Sequence, residues 1–151
     1  MALNISGILD VVISHAMASG HFERVNGHEP QNAPGRGLTA AVWVDGITAA
    51  RTSGLGSASA RLIFNVRLYT SAIQEPADAI DPNLLTATDA LLRAYVGDFD
   101  LGGTVRQVDV FGQHGAALEA RAGYIQQDGA LLRVITITLP VIVNDLWDEV
   151  A

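Results

Sequence analysis

Residues 60–100, ARLIFNVRLYTSAIQEPADAIDPNLLTATDALLRAYVGDFD, decide the fold, because two hydrophobic periods meet within them. Leu62, Phe64, Val66 and Leu68 alternate with Arg61, Ile63, Asn65, Arg67 and Tyr69, which predicts a strand whose first face packs on helices. An acidic linker with Glu75 and Asp78 follows. Asp81 is then placed to cap a helix with Pro82 at its first position, where a missing N–H removes no bond. Leu84, Leu85, Leu91, Leu92, Tyr95 and Val96 form the expected buried stripe of that helix, Asp89 and Arg93 pair at i,i+4 on its outer side, and Gly97 ends it.

Outward from this unit, Ile5, Ile8, Leu9, Val12, Ile13 and Ala16 follow helical spacing and Gly20 stops a first helix. Residues 22–25 suit a short strand, residues 26–37 a loop rich in Gly, Pro and Asn, and residues 38–45 a strand centred on Val42, Trp43 and Val44. The small residues of 46–59, GITAARTSGLGSAS, predict an extended hairpin arm or long loop. After Gly102 and Gly103, residues 104–111 read as a strand. Residues 122–127 and 131–143 read as a hairpin through Asp128-Gly129, the preferred pair for a type I′ turn. Pro140 cannot donate to a ladder and predicts a strand end or a sheet edge. The expectation is one α+β domain over 1–151: a mostly antiparallel sheet of about five strands, two helices packed on it, and a long arm.

Composition narrows the function. With 151 residues, 49% hydrophobic and 17% charged, the chain is too apolar for disorder and too interrupted for a membrane span of roughly 20 residues. No cationic start followed by an apolar stretch and a small-residue cleavage site opens it, so export by a signal peptide is not expected and a reducing cytoplasm fits. There is no cysteine, which removes disulfides, thiolate chemistry and Cys-ligated zinc. All nine basic residues are Arg, so the lysines of phosphate loops and Schiff bases are missing. Arg suits subunit contacts with carboxylates. A formal charge of −7 opposes a broad phosphate-binding face.

Motifs for chemistry are correspondingly weak. His28-Glu29 lacks the second His of HExxH, since Asn32 stands there, and His15, His21 and His114 fall at unrelated spacings. Gly54-Leu55-Gly56 and Gly35-Arg36-Gly37 lack the third glycine and the strand-to-helix setting of a dinucleotide site. No G-x-S-x-G occurs. Neither a catalytic residue, a cofactor nor a metal is expected, and the chain reads as an assembly protein and not as an enzyme. Glu75, Asp78, Asp81, Asp98 and Asp100 suit a solvated surface or the negative rim of a channel.

Three long stretches, in order, carry a family resemblance: SHAMASGHFERVNGHEPQNAPGRGLTAAVWVDGI (14–47), SARLIFNVRLYTSAIQEPADAIDPNLLTATDALLRAYVGDFDLGGTVR (59–106) and AGYIQQDGALLRVITITLPVIVNDLW (122–147). They resemble the tail terminator proteins of long-tailed bacteriophages that infect actinobacteria. The resemblance implies a virion protein forming a ring, commonly a hexamer, on the head-proximal end of the tail tube. Such a ring stops tube polymerisation, offers a docking surface to the head connector, and lets the genomic DNA pass without specific binding. It implies the major tail tube protein and the head–tail connector or head-completion proteins as partners, assembly in the host cytoplasm, and no membrane.

Heterologous ring contacts draw on loops and strand edges. The candidate interface residues are therefore Arg51 and Leu55 in the 46–59 arm, Arg36 in the 26–37 loop, and Trp147 with Asp145 at the C-terminal end. For the loops, ordinary solvent exposure is the alternative. Packing of Trp147 on its own subunit is the alternative to docking. A head-completion or neck protein of the same virion is the second reading of the whole chain, and a small-ligand-binding α+β domain or enzyme a remote third.

Overall fold

The structure is a computed structural model that describes residues 3–28, 37–50, 56–72, 80–127 and 129–148, with Asp145 and Asp148 described by backbone alone. Helix α1 spans Ile5–Ala18 and is capped by Asn4, whose side chain accepts the Gly7 N–H at 3.1 Å. Ile8, Val12 and Ala16 recur every four residues and are its buried face. Strands β1 (Arg24–Asn26), β2 (Thr39–Ala50) and β3 (Ser57–Ser71) follow, then helix α2 (Ile80–Gly97) and strands β4 (Gln107–Val108), β5 (Glu119–Gln127) and β6 (Ala130–Asp148).

Together they make an α+β fold with one six-stranded sheet in the order β1-β2-β3-β6-β4, and β5 also pairs with β6. Every pairing is antiparallel except β1 with β2. The long β6 serves two partners in succession along the flank away from β3. Its first part, to Thr138, pairs with β5, and Val141 and Ile142 pair with β4.

The period-2 pattern of β3 sets the core. Leu62, Phe64, Val66 and Leu68 are fully buried and meet Val42, Ile137, Leu139 and Val141 of the neighbouring strands and Leu84, Leu91 and Tyr95 of α2. Each such side chain contributes roughly 1.5–3 kcal/mol by leaving water. The Tyr95 hydroxyl is satisfied by donating to the Val12 carbonyl at 3.2 Å, and burial pushes its phenol well above the usual range. The opposite sheet face is not bare: Ala41, Tyr69, Leu132 and Val134 form a second buried cluster with Trp43, Ile125 and Ala130.

The expected α+β class holds, with two helices and a mostly antiparallel sheet of six strands among the described residues, while several finer expectations are corrected. The strand expected over 104–111 shrinks to the two residues of β4: the Thr104 and Val105 N–H groups are taken by the Leu101 and Asp100 carbonyls in the preceding turns, and from 109 onward the chain folds about the Asp109 carboxylate. The stripe of α2 is rotated: Leu84, Ala87, Thr88, Leu91 and Tyr95 are buried, while Leu85 and Val96 are 59% and 47% exposed. Asp81 lies within the first turn and is bonded to Arg133. Pro140 lies inside β6, in the middle of the sheet. It falls in the gap between the β5 and β4 pairings, where the ladder on that flank is interrupted, and its carbonyl accepts the Asp109 N–H at 2.9 Å. The final strand continues past Val143 to Asp148.

Candidate assembly surface

Part of the 46–59 segment is strand. β2 and β3 continue their ladder to Ala50↔Ser59, past a bulge between Val44 and Gly46, and β6 follows to Ala58↔Trp147 and Ser57↔Asp148. Ile47, Thr48 and Ala49 are exposed whichever face they point to, while Leu62, Ala60 and Ser59 of β3 at the same level stay buried, so this part of β2 is an open edge of the sheet. Trp147, near the end of β6, is 38% exposed. Of the other residues expected at an interface, Arg36, Arg51 and Leu55 lie outside the described residues, as do Glu75 and Asp78 of the acidic linker, and Asp145 is placed only as a residue of β6.

Next to the base of the arm, residues 109–117 form a compact loop, the first three of which were expected as strand. Asp109 is buried, and its carboxylate accepts the Gln113 and His114 N–H groups, each at 2.9 Å. Gly112 (φ 72°) and Gly115 (φ 137°) turn the chain, and Arg61 crosses from β3 to donate to the His114 carbonyl at 2.8 Å. A side chain on Gly115 would collide with that guanidinium. The loop presents Phe111 at 88% exposure. Phe99, 58% exposed, is tied alongside through its carbonyl, which accepts the Val108 N–H at 2.6 Å. An open cleft between them is lined by Phe99, Val108, Val110, Phe111 and Gln113. An Asp followed closely by two glycines is the signal that would have found this loop.

Two polar links fix the helices to this surface. His15 Nε2 meets Asp98 Oδ2 at 2.7 Å, joining the ends of α1 and α2, and the His15 ring packs edge-on to Tyr95. The hydrogen bond from His15, with a second from the Gly102 N–H, holds the Asp98 carboxyl below the usual carboxylate range. At the other end of α2, Arg133 of β6 grips Asp81 through Nε at 2.9 Å and Nη2 at 3.3 Å and lies over the Tyr124 ring. Asp81 raises the already high pKa of that guanidinium. These groups line a second open cleft with Ala72 and Ile80, but its charges are already spent on each other.

Among the described residues no three His, Asp or Glu side chains are placed to hold a metal ion, and no described helix is long and apolar enough to cross a membrane. The arrangement offers exposed aromatics, strand edges and tightly tied loops, which are means of contact with other chains.

No family model and no curated protein sequence matches the chain. Among solved structures, it is similar to a chain from the virion of a native gene transfer agent particle, at 14% identity and TM-score 0.42, covering 94% of this chain and 98% of that one. It is also similar to the sheath/tube terminator of an extracellular contractile injection system in its extended state, at 10% identity and TM-score 0.45, covering 100% of this chain and 62% of that one. At these scores the likenesses are partial and carry no assignment of function.

Proposed function

We propose that this chain is a structural virion protein that caps the head-proximal end of a phage tail tube as a ring, six subunits being the expected number, and ends tube polymerisation there. The observation that carries the reading is the resemblance of three long stretches, 14–47, 59–106 and 122–147, to phage tail terminators. The described surface supports it: Phe111 stands out on a loop tied down by Asp109 and Arg61, with Phe99 of the turn after α2 beside it, and exposed aromatics on a tied loop are contact anchors. On this reading the tube protein meets one face of the ring and the head connector the other, DNA passes through, and no catalysis is involved.

The test is reconstitution. Purified protein is added to tail tubes while they elongate from purified tube protein. The reading predicts that growth stops with the chain bound at one tube end; tubes that elongate unchanged, with no chain at their ends, would refute it.

A further inference from the structure

The sheet ends, among the described residues, in two edges of matching length and direction. Among the described residues, β1 covers only Thr39, Ala40 and Ala41 of β2, leaving residues 42–50 without a strand on their outer side. At the far side, the outer edge of residues 119–126 of β5 is likewise without a strand. Unpaired edges of this kind are templates for another strand. Following the registers, β2 is antiparallel to β3, β3 to β6 and β6 to β5, so β5 runs antiparallel to β2. A copy placed beside this one with the same orientation therefore brings its β5 antiparallel to the free stretch of β2.

Length and side-chain placement agree as well. The β2 stretch runs from Val42, level with Val66 of β3, to Ala50, level with Ser59, with one extra residue at the bulge. The β5 stretch runs from Glu119, level through Thr138 with Asn65, to Gln126, one residue beyond Ile125, which is level through Leu132 with Ser71. Each spans the same number of ladder positions. Sliding the neighbour by about six residues, roughly 20 Å, aligns them fully over four strands that are together about 19 Å wide. That slope is a strand tilt of about 45°, at the upper end of the range of closed barrels. In this alignment Ile125 faces Trp43, Tyr124 faces Val44 and Ala122 faces Ile47, each pair on one side of the sheet. The exposed apolar surface of Tyr124 and Ile47 (61% and 47%) thus gains cross-strand partners.

We propose that copies of this chain join edge to edge, β5 of one subunit pairing antiparallel with residues 42–50 of the next, so that their tilted sheets close into one continuous wall. The contact is heterologous, since two different edges meet, which is the type that closes into rings. This rests on the ring reading given above and names the surface that builds it. Charged Glu119 and Arg121 and the bulge at Asp45 keep the edges from pairing indiscriminately.

The absence of cysteine makes the contact testable without background. Thr48→Cys is combined in turn with Ala120→Cys, Arg121→Cys and Ala122→Cys, all at exposed positions, and the assembled protein is treated with a short bismaleimide. Within one subunit these positions are separated by three strand spacings and several residues along the strand, roughly 20 Å or more, so the linker joins only different copies. The proposal predicts a ladder of covalent oligomers ending at the ring size, strongest for Arg121→Cys, with Thr48→Cys alone giving no species beyond a dimer. Rings or capped tubes seen by electron microscopy without a ladder would overturn the edge contact and leave the proposed function standing. Absence of any oligomer, free or on tubes, would overturn both.

Discussion

Asp98 shows how much a single partly exposed carboxylate holds here. It receives hydrogen bonds from His15 at the end of α1 and from the Gly102 N–H in the turn after α2, and both favour its charged form. A carboxyl whose folded pKa lies below its unfolded value of about 3.9 contributes its full stabilisation above that value and loses it as pH falls through the folded pKa. Asp98→Asn is therefore expected to cost on the order of 1 kcal/mol at neutral pH. Urea unfolding of both proteins across pH should show the gap closing below about pH 4. A gap that stays constant to pH 2 would mean that the charge of Asp98 is not involved. Gly115 is the second such position. Its φ of 137° is strained for any residue with a side chain, and a methyl group there would push the Arg61 guanidinium off the His114 carbonyl, so Gly115→Ala is expected to destabilise by about 1–3 kcal/mol in thermal unfolding.

At the scale of elements, α2 gives the sharpest contrast. Leu91 and Leu85 are both leucines on one helix, and their spacing places both in a broad apolar stripe. The sheet touches a narrower one centred on Leu84, Leu91 and Tyr95. Leu91→Ala should cost about 2–5 kcal/mol, and Leu85→Ala at most about 0.5 kcal/mol, read from urea midpoints. Arg133→Ala should cost about 1–3 kcal/mol, since it removes a two-point grip on Asp81 from a side chain only 18% exposed.

The same elements show what was legible in the sequence. α1, the buried face of β3 and the Asp128-Gly129 hairpin follow from local period and turn chemistry, and Gly129 takes the left-handed φ, 77°, that such a turn needs. Pro140 misled because a strand that changes partners halfway has a local gap within a central position, and only the tertiary register reveals it. The rotation of α2 was hidden because Leu85 and Val96 are as apolar as the residues that face the core. Of the proposed interface, the arm over 46–59 was visible in outline, and its described part is strand. The Phe111 loop and the two free edges depend on which strands are neighbours, which hydrophobic period does not encode.

At the scale of the whole molecule, stability and assembly should separate. Phe111 is 88% exposed, so Phe111→Asp is expected to leave the unfolding midpoint within about 0.5 kcal/mol of the parent. It should nevertheless weaken attachment to tubes or head connector by tenfold or more, about 1.4 kcal/mol, measured by co-sedimentation with purified tails and with heads. Equal attachment by parent and variant would remove Phe111 from the docking surface. The central claim, that the chain sets where the tube ends, is tested most directly by the length of tail tubes in lysates of a phage whose copy of this gene carries an early stop codon. The account predicts overlong tubes without heads, restored to uniform length when the chain is supplied in trans. Tails of normal length lacking heads would contradict termination and assign the chain to the head–tail joint, and intact virions would contradict both.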